Sequence, residues 1–107
     1  MTRGDLVTVA ISGAYGKPQP AVVVQANTYL ALGSVTFLPL TTEILPHQVF
    51  RVSVAATTAN CLRAESQVMA DKCTTLPVSK IGKVFGRLDD ADMDRVNRAL
   101  AVFLGFA

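Results

Sequence analysis

Polar side chains able to act on a substrate gather at three places in this 107-residue chain. Lys17 and Gln19 lie in a Gly- and Pro-rich segment, Thr41-Thr42-Glu43 follows an apolar run, and Asp71-Lys72 precedes Cys73. Hydroxyls, an amide, a carboxylate and ammonium groups of this kind can hydrogen-bond an anion and move a proton. Loops over a rigid sheet are where such groups usually serve function, yet Thr pairs also finish strands and Asp-Lys is an ordinary turn neighbour. Several other chemistries fail by count. His47 is the single histidine, which removes any two-histidine acid/base pair within one chain, and its place between Pro46 and Gln48 suits a surface loop. The chain holds no G-x-S-x-G, no phosphate-cradling G-x-x-x-x-G-K-[ST] and no Cys/His cluster at metal-ligand spacing. Neither a metal nor a cofactor is expected.

The elements that must position these groups read as short strands and one helix. Residues 6–11 alternate, with Val7, Val9 and Ile11 on one face and Thr8 on the other, the period of a half-buried strand. Residues 12–20 combine two glycines and two prolines, a content that predicts a loop. Pro20 opens Ala21-Val22-Val23-Val24-Gln25, a β-branched run suited to a strand buried on both faces. Further strands are predicted over residues 34–40 and 49–54, and brief extended pieces over 67–70, 73–76 and 83–85. Val78-Ser79-Lys80-Ile81 after Pro77 predicts a single helical turn. The terminal helix is the best specified: Asp89 is placed to cap it, Asp92 stands three residues on, and Leu88 precedes the cap as a hydrophobic staple. Met93, Val96, Leu100, Phe103 and Ala107 form an apolar stripe, and Asp94 and Arg98 are spaced as an i,i+4 pair. The expected fold is mainly β (α+β): a small SH3-like β-barrel or strongly twisted antiparallel sheet, with the C-terminal α-helix packed on it.

Bulk properties narrow the class. The length suits a single domain over residues 1–107, and the longest apolar stretches fall short of the roughly 20 residues of a membrane span. Met1-Thr2-Arg3-Gly4-Asp5 meets an acid before any apolar run, unlike a secretory signal, so a cytoplasmic protein is expected. Cys61 and Cys73 are too few for a disulfide framework and read as two small buried hydrophobes. The net charge is +2, but the terminal helix region holds four of the eight acids, leaving the remaining body with eight basic and four acidic residues. Such a body can face an anion.

Five segments in the right order resemble the MazF/PemK family of toxin endoribonucleases, which shares a fold with the CcdB gyrase poisons. Arg3-Gly4-Asp5-Leu6-Val7 resembles the family's opening strand, and Gly16-Lys17-Pro18-Gln19-Pro20-Ala21-Val22-Val23-Val24-Gln25 its G-x-x-R-P segment. Leu38-Pro39-Leu40-Thr41-Thr42 resembles the P-[IVL]-T-[ST] strand end. Gln67-Val68-Met69-Ala70-Asp71-Lys72 with Thr74-Thr75-Leu76, and Lys80-Ile81-Gly82-Lys83-Val84-Phe85-Gly86-Arg87-Leu88 with the final helix, resemble the rest. The resemblance implies a compact homodimer that cuts single-stranded RNA without a metal and is silenced by a cognate antitoxin protein, with no membrane partner. It assigns catalysis to Thr41, to Asp71 and to the position of Gln19, where the family carries arginine; a family arginine two residues before Asp71 is Met69 here. Lys17, Pro18, Thr42, Glu43 and Lys72 are the expected RNA contacts, with Lys17 and Lys72 nearest to supply the absent positive charge. The alternatives are a catalytically weakened homologue that binds RNA or antitoxin, and a gyrase poison. The last fits less well, since CcdB proteins end in Trp-Gly-Ile and this chain ends Gly105-Phe106-Ala107.

Overall fold

The computed structural model describes residues 1–11 and 17–107; the part of the expected loop at residues 12–16 lies outside the described residues. Among the described residues, seven strands and one α-helix follow in chain order. These are β1 (Asp5–Val9), β2 (Gln19–Val23), β3 (Ser34–Thr41), β4 (Arg51–Val54), β5 (Ser66–Met69), β6 (Thr74–Pro77), β7 (Ile81–Arg87) and α1 (Asp90–Leu104). All pairings among the described strands are antiparallel, in the order β4-β5-β3-β2-β1-β7, with β6 also on β3. Among the described residues the sheet does not close. The twisted-sheet alternative therefore describes the chain, and the closed barrel does not.

β3 makes this topology possible. Its first half, Ser34 to Phe37, pairs with β6, while its end, Leu40 and Thr41, pairs with β5. β2 covers its other side. β1, β2 and β3 are buried on both faces, as the β-branched run of β2 predicts. Because side chains alternate along a strand, the chain builds two cores from one sheet. Leu6, Val22, Leu38, Leu40, Val68 and Val96 of α1 belong to the first, and Val7, Val9, Ala21, Val23, Val35 and Phe37 to the second. The reading of β1 as half-buried is corrected here: Leu6 and Val7 are both fully buried, because α1 covers the face that the alternation assigned to solvent.

The helix begins as its sequence predicts. Asp89 Oδ1 accepts from the Asp92 N–H at 2.7 Å, and Leu88 is buried beneath the cap. It ends at Gly105, whose φ of 85° takes the left-handed conformation of a C-cap. Ala107 therefore lies beyond the helix and outside the stripe, and Phe103 stays half-exposed while packing its ring against Phe50 at 5.9 Å between centroids. The expected Asp94–Arg98 pair is not formed; Asp92 and Arg95 pair instead at 2.7 Å. The cysteine reading is also corrected. Cys61 and Cys73 are both exposed and unbridged, since each sits at a turn on the sheet's periphery rather than on a strand face. Val49, expected in β4, is exposed ahead of it.

The opening Arg3-Gly4-Asp5 acts as a clamp. Arg3 donates from Nε to the Val24 carbonyl and from Nη2 to Asn97 Oδ1 of α1. Arg87 Nη1 donates to the Arg3 carbonyl and to Asp5 Oδ1. Gly4, at φ 93°, turns the chain between them.

A second lock is built on Asn60, a polar residue only 1% exposed. Its Oδ1 accepts from the N–H groups of Thr57 and Leu62, its Nδ2 donates to the Ala55 carbonyl, and its own N–H donates to Thr57 Oγ1. The turn so fixed lies against β7 at Gly86, where an added Cβ would stand 2.3 Å from the Asn60 carbonyl oxygen. Backbone cannot yield as a flexible side chain does. Gly86→Ala is expected to cost about 1–3 kcal/mol, read as a lowered midpoint of urea unfolding with an unchanged slope.

Candidate functional site

Thr41 and Gln19 meet at the end of the sheet. β2 and β3 pair with Ala21 opposite Pro39, and continuing that register by two residues sets Gln19 opposite Thr41. Both are odd-numbered residues of their strands and so share the face of the second core. Both are half-buried. Thr41 Oγ1 accepts from the Glu43 N–H at 3.1 Å, which fixes the hydroxyl at the strand end and leaves its O–H available to a substrate oxygen. Glu43 is exposed just beyond it, and Lys17 and Pro18 are exposed ahead of Gln19. Buried Gln67 secures the segment that follows: its Oε1 accepts from the Leu45 N–H and its Nε2 donates to the Leu45 carbonyl.

Pro18 and Thr42 belong to the other face. With Pro20, Leu62, Arg63 and Phe85 they line a cleft of about 570 Å³ whose floor continues into the first core. Residues adjacent in sequence thus serve opposite sides of one sheet end.

Asp71 stands apart from the Thr41–Gln19 pair. Thr41 pairs with Gln67, whereas Asp71 lies four residues further on, in the 3-10 turn Ala70–Lys72. Its carboxylate turns toward β4, where Arg51 Nε donates to Oδ1 at 2.8 Å and Nη2 to Oδ2 at 2.9 Å. This two-pronged contact is the strong form of a carboxylate–guanidinium bond. The Arg51 hydrogen bonds hold the Asp71 carboxyl below its ordinary range, and Asp71 in turn holds Arg51 protonated. Arg51 also rests over the Phe50 ring at 5.8 Å. Lys72 is exposed beside the pair.

Sequence reasoning missed Arg51 and Arg63. Arg51 becomes Asp71's partner only through the β4–β5 register, in which it lies opposite Met69. Arg63 sits in a polar connection with no periodic signal, and the Asn60 turn brings it to the cleft.

Comparison with known proteins identifies the lineage. A family model for the PemK-like, MazF-like toxins of type II toxin-antitoxin systems matches residues 2–104. The chain belongs to this family. Among its relatives, a probable endoribonuclease MazF of Mycolicibacterium smegmatis is 44% identical over 108 residues, spanning 100% of this chain and 99% of the relative. A mycobacterial endoribonuclease solved in complex with its cognate antitoxin superposes with a TM-score of 0.83 at 25% identity, covering 100% of this chain and 97% of that one. The MazF of a MazE-MazF complex from Deinococcus radiodurans shares the fold, with a TM-score of 0.78 at 21% identity and coverage of 100% and 98%. The antiparallel sheet and terminal helix are therefore the MazF architecture.

In this MazF-like chain the Arg51–Asp71 pair also ties β4 to the turn beneath α1. Asp71→Asn is expected to lower stability by about 1.5–3 kcal/mol at neutral pH, the range for hydrogen bonds to a charged group. The sign follows from linkage. A carboxyl whose folded pKa is depressed contributes its stability above the ordinary value near 3.8 and loses it as the pH falls through the folded value. The gap between parent and variant should be constant from neutral pH down to about pH 5 and shrink below about 3.8, measured by chemical denaturation across that range.

Proposed function

We propose that this MazF/PemK-family chain is the toxin of a type II toxin-antitoxin pair and acts as a metal-independent, sequence-specific endoribonuclease. It cleaves single-stranded mRNA in the cytoplasm and so halts translation. The observation that carries the reading is the cross-strand placement of Thr41 and Gln19 on one face of the sheet end, the two positions to which the resemblance assigns catalysis.

The chemistry is attack of a ribose 2′-hydroxyl on the adjacent phosphate, leaving a 2′,3′-cyclic phosphate and a 5′-hydroxyl. It requires loss of one proton, delivery of another, and donors aimed at the charge growing on the phosphoryl oxygens. The Thr41 hydroxyl and the Gln19 amide supply neutral donors. Gln19 has neither the charge nor the proton that an arginine would bring to this position, so catalysis is slower than in relatives that carry the arginine. Lys17, two residues earlier, and Lys72 supply positive charge to the approaching strand. Asp71 acts through Arg51, since its carboxylate is held ionised with both oxygens on that guanidinium and has no proton to give. Pro18, Thr42 and Glu43 contact RNA around the cut.

A homodimer completes the assembly in this reading. The second core is flanked by the half-buried Ile11, Leu30, Leu76 and Ile81, and Leu32 beyond them is 72% exposed. A second copy on that face would remove apolar surface from water. A cognate antitoxin with an acidic, extended segment would compete with RNA for the basic loops.

Two measurements test these statements. Purified protein in EDTA should cut a long single-stranded RNA, leaving cyclic-phosphate ends; Thr41→Ala should slow cutting about 10²-fold, and Gln19→Arg should speed it. An RNA left whole by both the parent and Gln19→Arg would shift the function to binding alone. Light scattering at micromolar protein should give twice the chain mass, and a monomer would contradict the dimer.

A further inference from the structure

Beyond Pro18 and Thr42, the residues lining the cleft on the opposite face from Gln19 and Thr41 have no part in the chemistry above. Phe85, Leu62 and Pro20 line it with apolar side chains, and Thr42 lines it with a hydroxyl-bearing one. Among the described residues that line it, Arg63 is the one charged residue. Arg63 is exposed, and among the described residues no carboxylate pairs with it.

These walls are built rather than incidental. β1 and β7 pair Leu6 with Gly86 but Val7 with Val84. Phe85 is therefore the extra residue of a bulge, a device that re-aims a side chain. Its ring is half-buried against the first core and lines the cleft. Gly82 sits so close to Thr8 that a Cβ would stand 2.1 Å from its Oγ1, and Thr8 is another cleft residue. Arg63 follows the turn locked by Asn60, whose Oδ1 holds the Leu62 N–H at 3.0 Å. The backbone that carries Arg63 and the partly buried Phe85 ring are thus set in advance, which lowers the ordering cost of binding.

An aromatic and aliphatic floor, a hydroxyl and a guanidinium match one nucleotide: a base to stack and a phosphate to pair. Pro18 and Thr42, on the cleft, are chain neighbours of Gln19 and Thr41. A strand presented to that pair has only to cross the sheet end to reach Phe85. We propose that the cleft is a subsite for one nucleotide of the RNA flanking the cut, its base on Phe85 and Leu62 and its phosphate on Arg63. The inference rests on the ribonuclease reading above. An acidic peptide would engage Arg63 but leave the Phe85 ring and the Thr42 hydroxyl unused.

The test is equilibrium binding of 2′-O-methyl RNA oligonucleotides, which lack the attacking hydroxyl, by fluorescence anisotropy. The full chain is compared with Arg63→Ala, Arg63→Lys, Phe85→Leu and, as a remote control, Arg98→Ala, after thermal unfolding shows each folded. Arg63→Ala should weaken binding about tenfold and reduce the salt slope by about one ion, while Arg63→Lys keeps the slope. Phe85→Leu should weaken binding about five- to tenfold at an unchanged slope and cancel the affinity gained by lengthening the RNA by one nucleotide. Equal RNA affinity in the parent, Arg63→Ala and Phe85→Leu would overturn the subsite while leaving the ribonuclease reading intact. So would a loss confined to a poly-glutamate peptide, which would give the cleft to a protein partner. A parent chain that binds no RNA overturns both readings.

Discussion

Three adjacent strands with apolar residues on both faces are the constraint on which the rest of this molecule depends. β1, β2 and β3 cannot leave either side in water, since Leu6, Val7, Ala21, Val22, Val23, Val35, Phe37 and Leu38 are all fully buried. Each face needs its own cover. α1 covers one side, and β6, the start of β7 and the Leu30 region cover the other. Burying a Val or Leu side chain contributes about 1.5–3 kcal/mol, so the two-sided arrangement supplies most of the stabilisation available to a chain of this size.

The same alternation decides which polar residues share chemistry. At the sheet end, where the cores run out, the odd positions bring Gln19 and Thr41 together and the even positions deliver Pro18, Pro20 and Thr42 to the cleft. The Thr41-Thr42 pair is thus divided between the two faces. Strong hydrogen-bonded locks hold both sides in register: Arg3 and Arg87 at the chain start, Gln67 behind the Thr41 segment, and Asn60 behind Arg63.

What was legible in the sequence is what depends on neighbours along the chain. The capped helix, the period-two runs and the Pro77 turn follow from local rules, and the structure places a 3-10 turn at Val78–Lys80 directly after Pro77. The family was legible through segment order. The branching of β3 between β5 and β6 was not, because no local pattern says that one strand changes partners halfway. The Arg51–Asp71 pair depends on the β4–β5 register, and the bulge at Phe85 on a mismatch between β1 and β7. The cysteines were misread because a residue type's usual burial says nothing about a turn at the sheet's edge; Cys61 even adopts a φ of 54°. The division of Thr41 from Thr42 was available in principle from alternation, once β3 was known to continue through Thr41.

β2 also restricts how this lineage can change. Residues 18 to 24 place every odd side chain on one face and every even one on the other, so losing or gaining one residue there would exchange the two sets along the strand. Depending on which side keeps its register, such a change would move Gln19 into the cleft or turn Val22 and Val24 away from α1. Length variation is consequently confined to the connections, while β2 can diversify only by substitution in place. Gln19 is a position of that kind: substitution there leaves the strand's two faces in place.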